Sequence, residues 1–198
     1  MNALFESALI TTLCASTMRG TTPILLAALG EAYAERSGLL NLGIEGMMVA
    51  GAFSSFVVAL KMDSLLTGFV FATVVGLILA LVFGILTITL GVNQIVVGLG
   101  LTIFARSMCS FLHRIIFGNQ FPILFGAGGT SEIPLLSRVP VIGQALFNQH
   151  WLVYLTFALV PIMYILMYKT RFGLRVRAVG EAPRAADACG VNVYRTRF

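Results

Sequence analysis

An acid, Glu45, and an amide, Asn41, stand inside Glu35-Arg-Ser-Gly-Leu-Leu-Asn-Leu-Gly-Ile-Glu-Gly-Met-Met-Val-Ala-Gly51, a stretch otherwise apolar enough for a membrane. Placing an ionised carboxylate in hydrocarbon costs at least about 2.5 to 3.5 kcal/mol, so such a group lines a cavity or pairs within a helix bundle. Hydrogen bonding to a polar solute is open to both side chains, and proton exchange to Glu45. A second polar pair, Asn93 and Gln94, opens a later apolar stretch, and Arg106 follows it within helical reach. Two readings stand side by side. Asn41, Glu45, Asn93 and Gln94 border a translocation path, or Glu45 is protonated or paired with Arg106 and serves assembly, with Asn93 and Gln94 as interfacial polar residues.

The elements that must hold these side chains follow from composition and charge. Hydrophobic residues make up 58% of the chain and charged residues 11%, against about 25% charged in soluble domains. That excludes a soluble globular domain and predicts an all-α, polytopic transmembrane helix bundle. Ser64 to Ala105 contains no Asp, Glu, Lys or Arg, enough for two crossings divided near Gly91. No basic region precedes the first apolar residues, so no cleavable signal peptide is evident. Lys169, Arg171, Arg175, Arg177, Arg184, Arg195 and Arg197 concentrate the basic charge after residue 168. Basic residues gather in cytoplasmic loops, so this tail is expected inside the cell, beside membrane lipid and not on nucleic acid.

Counting back from that tail gives about five crossings: Trp151 to Tyr168 inward, Asn93 to Phe117 outward, Leu65 to Leu90 inward, Leu39 to Leu60 outward and Arg19 to Tyr33 inward. Met1 to Met18 is read as an apolar leader in the outer interface or as an extension of the first crossing. Residues 1–169 thus form the bundle, with an extracytoplasmic loop at 118–150 containing Pro122, Pro134 and Pro140, and 170–198 form a cytoplasmic segment. Two stripes of small residues at intervals of four, Ala72-Gly76-Ala80-Gly84 and Gly46-Ala50-Ser54, predict close helix contacts.

Were the chain helical from Glu35, Asn41 and Glu45 would share a face and Glu45 would lie about 15 Å further on, near mid-membrane. Gly38, Gly43 and Gly46 oppose that continuity and predict a break at 37–41, with Ser37 or Asn41 capping the next helix. Broken helices at membrane depth are tolerated where they line a cavity. In the tail, Pro183 suits a first helical turn, Glu181 its positive end and Gly190 the position past its end, so Pro183 to Cys189 reads as a short helix. Its Ala185, Ala186 and Cys189 leave a side open to a partner. His113, Arg114 and His150 show no metal-ligand spacing. Cys14, Cys109 and Cys189 read as apolar fillers, not a disulfide framework.

Glu35 to Met48, then Gly91-Val-Asn-Gln-Ile-Val-Val-Gly98, then Thr170-Arg-Phe-Gly-Leu-Arg-Val-Arg-Ala-Val-Gly-Glu-Ala-Pro-Arg-Ala-Ala-Asp-Ala-Cys-Gly190 together resemble bacterial ABC-transporter permeases of the ribose and branched-chain amino acid type. The Glu-Arg-Ser-Gly and Gly-Ile-Glu-Gly-Met-Met pieces resemble the nucleoside-importer branch most. The resemblance implies a permease subunit in the bacterial inner membrane, paired with a second permease, served by two ATP-binding subunits and supplied by an extracytoplasmic binding protein. It implies that Gly180, Glu181, Pro183, Ala185, Ala186 and Gly190 form an ATPase-coupling segment, and that the Asn41–Glu45 junction borders the path. It also implies further crossings after Phe198, so that this chain is expected to be an incomplete permease domain.

The chain contains no Gly-x-x-x-x-Gly-Lys-Ser/Thr phosphate loop, so hydrolysis is expected in a partner and neither an enzyme activity nor a cofactor is assigned. Other readings remain at this stage. They are a permease for simple sugars or branched-chain amino acids, a secondary transporter in which Glu45 carries coupled protons, and a membrane scaffold that leaves Asn41 and Glu45 idle.

Overall fold

Long uninterrupted apolar runs satisfy every backbone group internally only as helices, and helices are what these runs form. The computed structural model describes residues 2–120, 122, 131–132 and 148–198, with side chains from residue 9 onward except at 131, 132 and 148. The helices are α1 (Asn2–Arg36), α2 (Ile44–Met62), α3 (Leu65–Gly84), α4 (Gln94–Phe117), α5 (Trp151–Lys169), α6 (Arg171–Glu181), α7 (Pro183–Ala188) and α8 (Val193–Arg197). A π-helical turn, Ile85–Thr89, continues α3. Two-residue strands, Ser131–Glu132 and Asn148–Gln149, pair antiparallel. Most of the extracytoplasmic loop expected at 118–150, including Pro134 and Pro140, lies outside the described residues.

Among the described residues, four helical stretches are long and apolar enough to cross a membrane: Ile44–Met62, Leu65–Thr89, Gln94–Phe117 and Trp151–Lys169. They match the second to fifth of the expected crossings, and the chain is a multi-pass, all-α membrane bundle. Of the two alternatives for the leader, extension of the first crossing agrees with the helix seen, although α1, which contains the expected first crossing Arg19 to Tyr33, is not among these four stretches. One continuous 35-residue helix runs through Met18 and Arg19 with Pro23 inside. Thr21 and Thr22 donate their hydroxyls to the carbonyls of Thr17 and Met18, both at 2.8 Å.

The chain divides into two compact units. One contains α1 up to Gly30, the short strand pair and α5 up to Tyr168. Within it Arg19 Nε donates to Oε1 of the fully buried Gln149 at 2.9 Å. The other unit contains Glu31 onward through α4, together with 169–198. There α2 and α4 run parallel, because Gly43 lies against Gly98 while Gly46 lies against Thr102; α3 runs antiparallel to α2, with Gly68 against Ser55 and Ala59. Two small cores hold these three helices. One is Ala50, Ala105 and Cys109 with Phe53, Val75 and Leu79, and the other is Phe83, Val97 and Leu101 with Met47 and Leu86.

The small-residue stripes have separate fates. Gly46 and Ala50 sit in helix contacts, as their spacing predicts. Gly76 does not: among the described residues nothing lies within 4 Å of a Cβ placed there. Gly84 faces the Phe198 ring instead of a neighbouring membrane helix. Spacing marks a face of small residues, but it does not say what covers that face.

Candidate functional site

Residues 37–43 leave the helix between α1 and α2, where Gly38 adopts φ +85°. An L side chain rarely takes that conformation, so glycine permits the turn. Backbone groups that helix continuation would have paired need other partners, and side chains from two helices supply them. Glu31 Oε1, near the end of α1, accepts from Asn41 N–H at 2.9 Å. Gln94 Oε1, in the first turn of α4, accepts from Leu40 N–H at 2.7 Å. Thr102 donates its hydroxyl to the Leu42 carbonyl at 3.3 Å. Asn41 folds its own Oδ1 back onto Gly43 N–H at 3.0 Å, and Ser37 donates to the Ala34 carbonyl at 2.7 Å.

The capping expectation is therefore corrected. Gly43 is the N-cap of α2 and makes no side-chain cap bond, Ser37 points back into α1, and Asn41 bridges two residues just outside the helix. Asn41 and Glu45 do not share a helical face, because only Glu45 is helical. Glu45 lies in the first turn of α2, where an acid favours the positive end of the dipole. It meets Arg106 Nη2 at 2.8 Å, the counter-charge arrangement that was one of the two sequence readings. Asn93 caps α4 by accepting from Ile95 N–H at 2.9 Å. Of the four candidate path residues, Asn41 and Gln94 belong to the break directly, Glu45 lies just beyond it and Asn93 caps the start of α4.

The basic segment docks on this break. Thr170 caps α6 by accepting from Gly173 N–H, and Gly173, Val176 and Val179 form its buried face. At its end Gly180 lies so close to the Arg36 carbonyl and Gly38 N–H that a Cβ there has no room. Further on, Arg197 Nε donates to the Ser37 carbonyl at 3.1 Å, and Phe198 covers Gly84. The short helix α7 starts with Pro183 at its first turn, and Gly190 past its end adopts φ +81°. Ala186 is buried against the segment itself, whereas Glu181, Ala185 and Cys189 are exposed and Pro183 is half-buried.

Comparison with known proteins places this geometry in a family. Residues 13–198 match the family described as the permease component of branched-chain amino acid transport systems. The chain belongs to this permease family. It is 34% identical over 185 residues to the nucleoside ABC transporter permease protein NupC of Lactococcus lactis, covering 90% of this chain and 58% of that protein. It is 34% identical over 196 residues to the putative glucose ABC transporter permease protein TsgC13 of Haloferax volcanii, covering 92% and 56%. The guanosine ABC transporter permease protein NupQ of Bacillus subtilis is 33% identical over 194 residues, covering 92% and 60%. The chain thus spans just over half the length of these relatives. No solved structure matches it.

Three residues of the permease break were missed by sequence reasoning: Glu31, Gly98 and Arg197. Glu31 carried a usable signal, since it is an acid within an expected crossing and invites the same question as Glu45. Gly98 carried a weaker one, as a small residue in a crossing where no four-residue stripe was marked. Arg197 carried none, because its bond to Ser37 joins positions 160 residues apart.

Proposed function

We propose that this permease is a transmembrane subunit of an ATP-driven importer for nucleosides, with residues 169–198 in the cytoplasm. An ATP-binding subunit grips the exposed side of α7, a second permease completes the channel and an extracytoplasmic binding protein delivers the solute. The observation that carries this reading is the seat of Gly180 and Arg197 on the break at residues 36–38. A displacement of α7 and α6 is thereby passed to a segment whose backbone is held by Glu31 and Gln94. Two arrangements of that segment, unequally favoured by nucleotide and by solute, give alternating access. The nucleoside assignment draws on the names of the two nucleoside-type relatives and on the Glu35 to Met48 pieces.

A glucose-type substrate is the second reading, favoured by the equal identity to the Haloferax protein. Uptake of labelled guanosine into cells making the whole transporter, with glucose and leucine as competitors, separates the two. The expected result is uptake that stops on ATP depletion and is blocked by unlabelled nucleosides alone. Competition by glucose would move the substrate to sugars. Uptake that outlasts ATP and follows a proton gradient would replace the ATP-driven scheme with a secondary transporter.

A further inference from the structure

The break uses α4 only through Gln94 and Thr102, and the polarity of that helix continues beyond them. Thr102, Arg106, Ser110 and then His113 and Arg114 recur at spacings of three and four, which places them on one side of the helix. On parallel α2, Glu45, Val49 and Phe53 recur at four. The two rows face one groove: Arg106 bonds Glu45, and Val49, Phe53, Ser110, His113, Arg114 and Asn119 line a single cleft of about 480 Å³ beyond that pair.

The ion pair restricts what can lie against the groove. Arg106 lies twelve residues past Gln94, about 18 Å along a crossing whose apolar core is about 30 Å thick. Its partner Glu45 lies in the first turn of α2, and the Arg106 and Glu45 side chains are 59% and 67% exposed. Charged groups so exposed are not stable against acyl chains, whereas they are stable in a water-filled cavity. Elsewhere on α4, Phe104, Phe111 and Ile115 present exposed apolar surface suited to lipid.

We propose that the α2–α4 groove is the aqueous solute path, with the Glu45–Arg106 pair as its constriction and the Phe53–Ser110–His113–Arg114 cleft as a subsite for a neutral solute bearing a flat ring and hydroxyls. Phe53 offers the ring an aromatic face, while Ser110, His113, Arg114 and Asn119 offer hydrogen bonds. The cleft volume falls within the range of small-molecule sites, about 300 to 1,000 Å³. This moves the path away from Asn93, which caps the start of α4, and along the membrane thickness. The identity of the solute rests on the nucleoside reading; the aqueous path does not.

The test uses the whole transporter in cell membranes, with Cys14, Cys109 and Cys189 replaced by Ala. Single Ser110→Cys, Val49→Cys and Phe111→Cys variants are then exposed to a charged, membrane-impermeant methanethiosulfonate. Ser110→Cys and Val49→Cys, reporters on two different helices, are expected to react at least about tenfold faster than Phe111→Cys, since lipid excludes a charged reagent. Saturating guanosine is expected to slow both, and leucine neither. Rates at or below that of Phe111→Cys would overturn the path while leaving nucleoside uptake untouched. Fast labelling without guanosine protection would overturn the subsite, and efficient Ser110→Cys disulfides between two copies would show that protein, not water, covers the groove.

Discussion

Gly46 shows how much a single methyl group decides in this bundle. A Cβ there would lie 2.6 Å from Thr102 Cα, inside any ordinary contact, with helix backbone as the obstacle. Overpacking of this kind costs about 1 to 3 kcal/mol, partly offset by about 1 kcal/mol of helix propensity gained in replacing glycine by alanine. Gly46→Ala is therefore expected to lower the melting temperature of the detergent-solubilised protein, whereas Gly76→Ala, with open space around it, is expected to leave it unchanged or raise it. Equal shifts for the two would mean that the α2–α4 approach is not tight. Only half of this contrast is legible in the sequence. The four-residue spacing names both glycines, and nothing local distinguishes the one under Thr102 from the one facing outward. Glu31 makes the same point for polar groups. Its Oε2 has no hydrogen-bond partner among the described residues, while its Oε1 holds Asn41 N–H, a division set by tertiary packing.

Between α1 and α2 the sequence predicts an interruption, because Gly38, Gly43 and Gly46 depress helix propensity where a polar residue is available. What it does not predict is the partner of each freed backbone group, since Gln94 reaches Leu40 across 54 residues. Helix α6 was likewise unmarked, although Gly173, Val176 and Val179 recur at three, because the basic residues between them obscured an apolar face. Its end gives the sharpest prediction for an element. Gly180→Ala forces α6 off the Arg36 carbonyl, so hydrogen exchange at residues 36–43 at least about tenfold faster is expected, the factor that about 1.4 kcal/mol of local destabilisation corresponds to, together with slower ATP-driven uptake. Arg197→Ala removes one bond to the same segment and leaves the Ser37 carbonyl able to meet water, so a smaller change in exchange is expected. Slowed uptake with unchanged exchange in Gly180→Ala would place the defect at the ATP-binding partner instead of at the break.

For the whole molecule, the direction in which the chain threads the membrane decides whether the docked segment can meet an ATP-binding subunit at all. The apolar runs make the membrane bundle legible in the sequence, and the basic residues after 168 carry the expectation for its direction, since Lys and Arg gather on the cytoplasmic side. Cys189 reports on it directly, being exposed just past α7, while Cys109 is buried between helices. In a Cys14→Ala background, an impermeant maleimide is expected to leave Cys189 untouched in intact cells and to modify it in inverted membrane vesicles. Prior modification in those vesicles is expected to block association of the ATP-binding subunit, since the reagent adds bulk beside Ala185 on the exposed side of α7. Labelling in intact cells would put α6 to α8 outside, where no ATP is available. The seat of Gly180 on the break would then transmit movements of an extracellular partner, and the direction of coupling would have to be reversed.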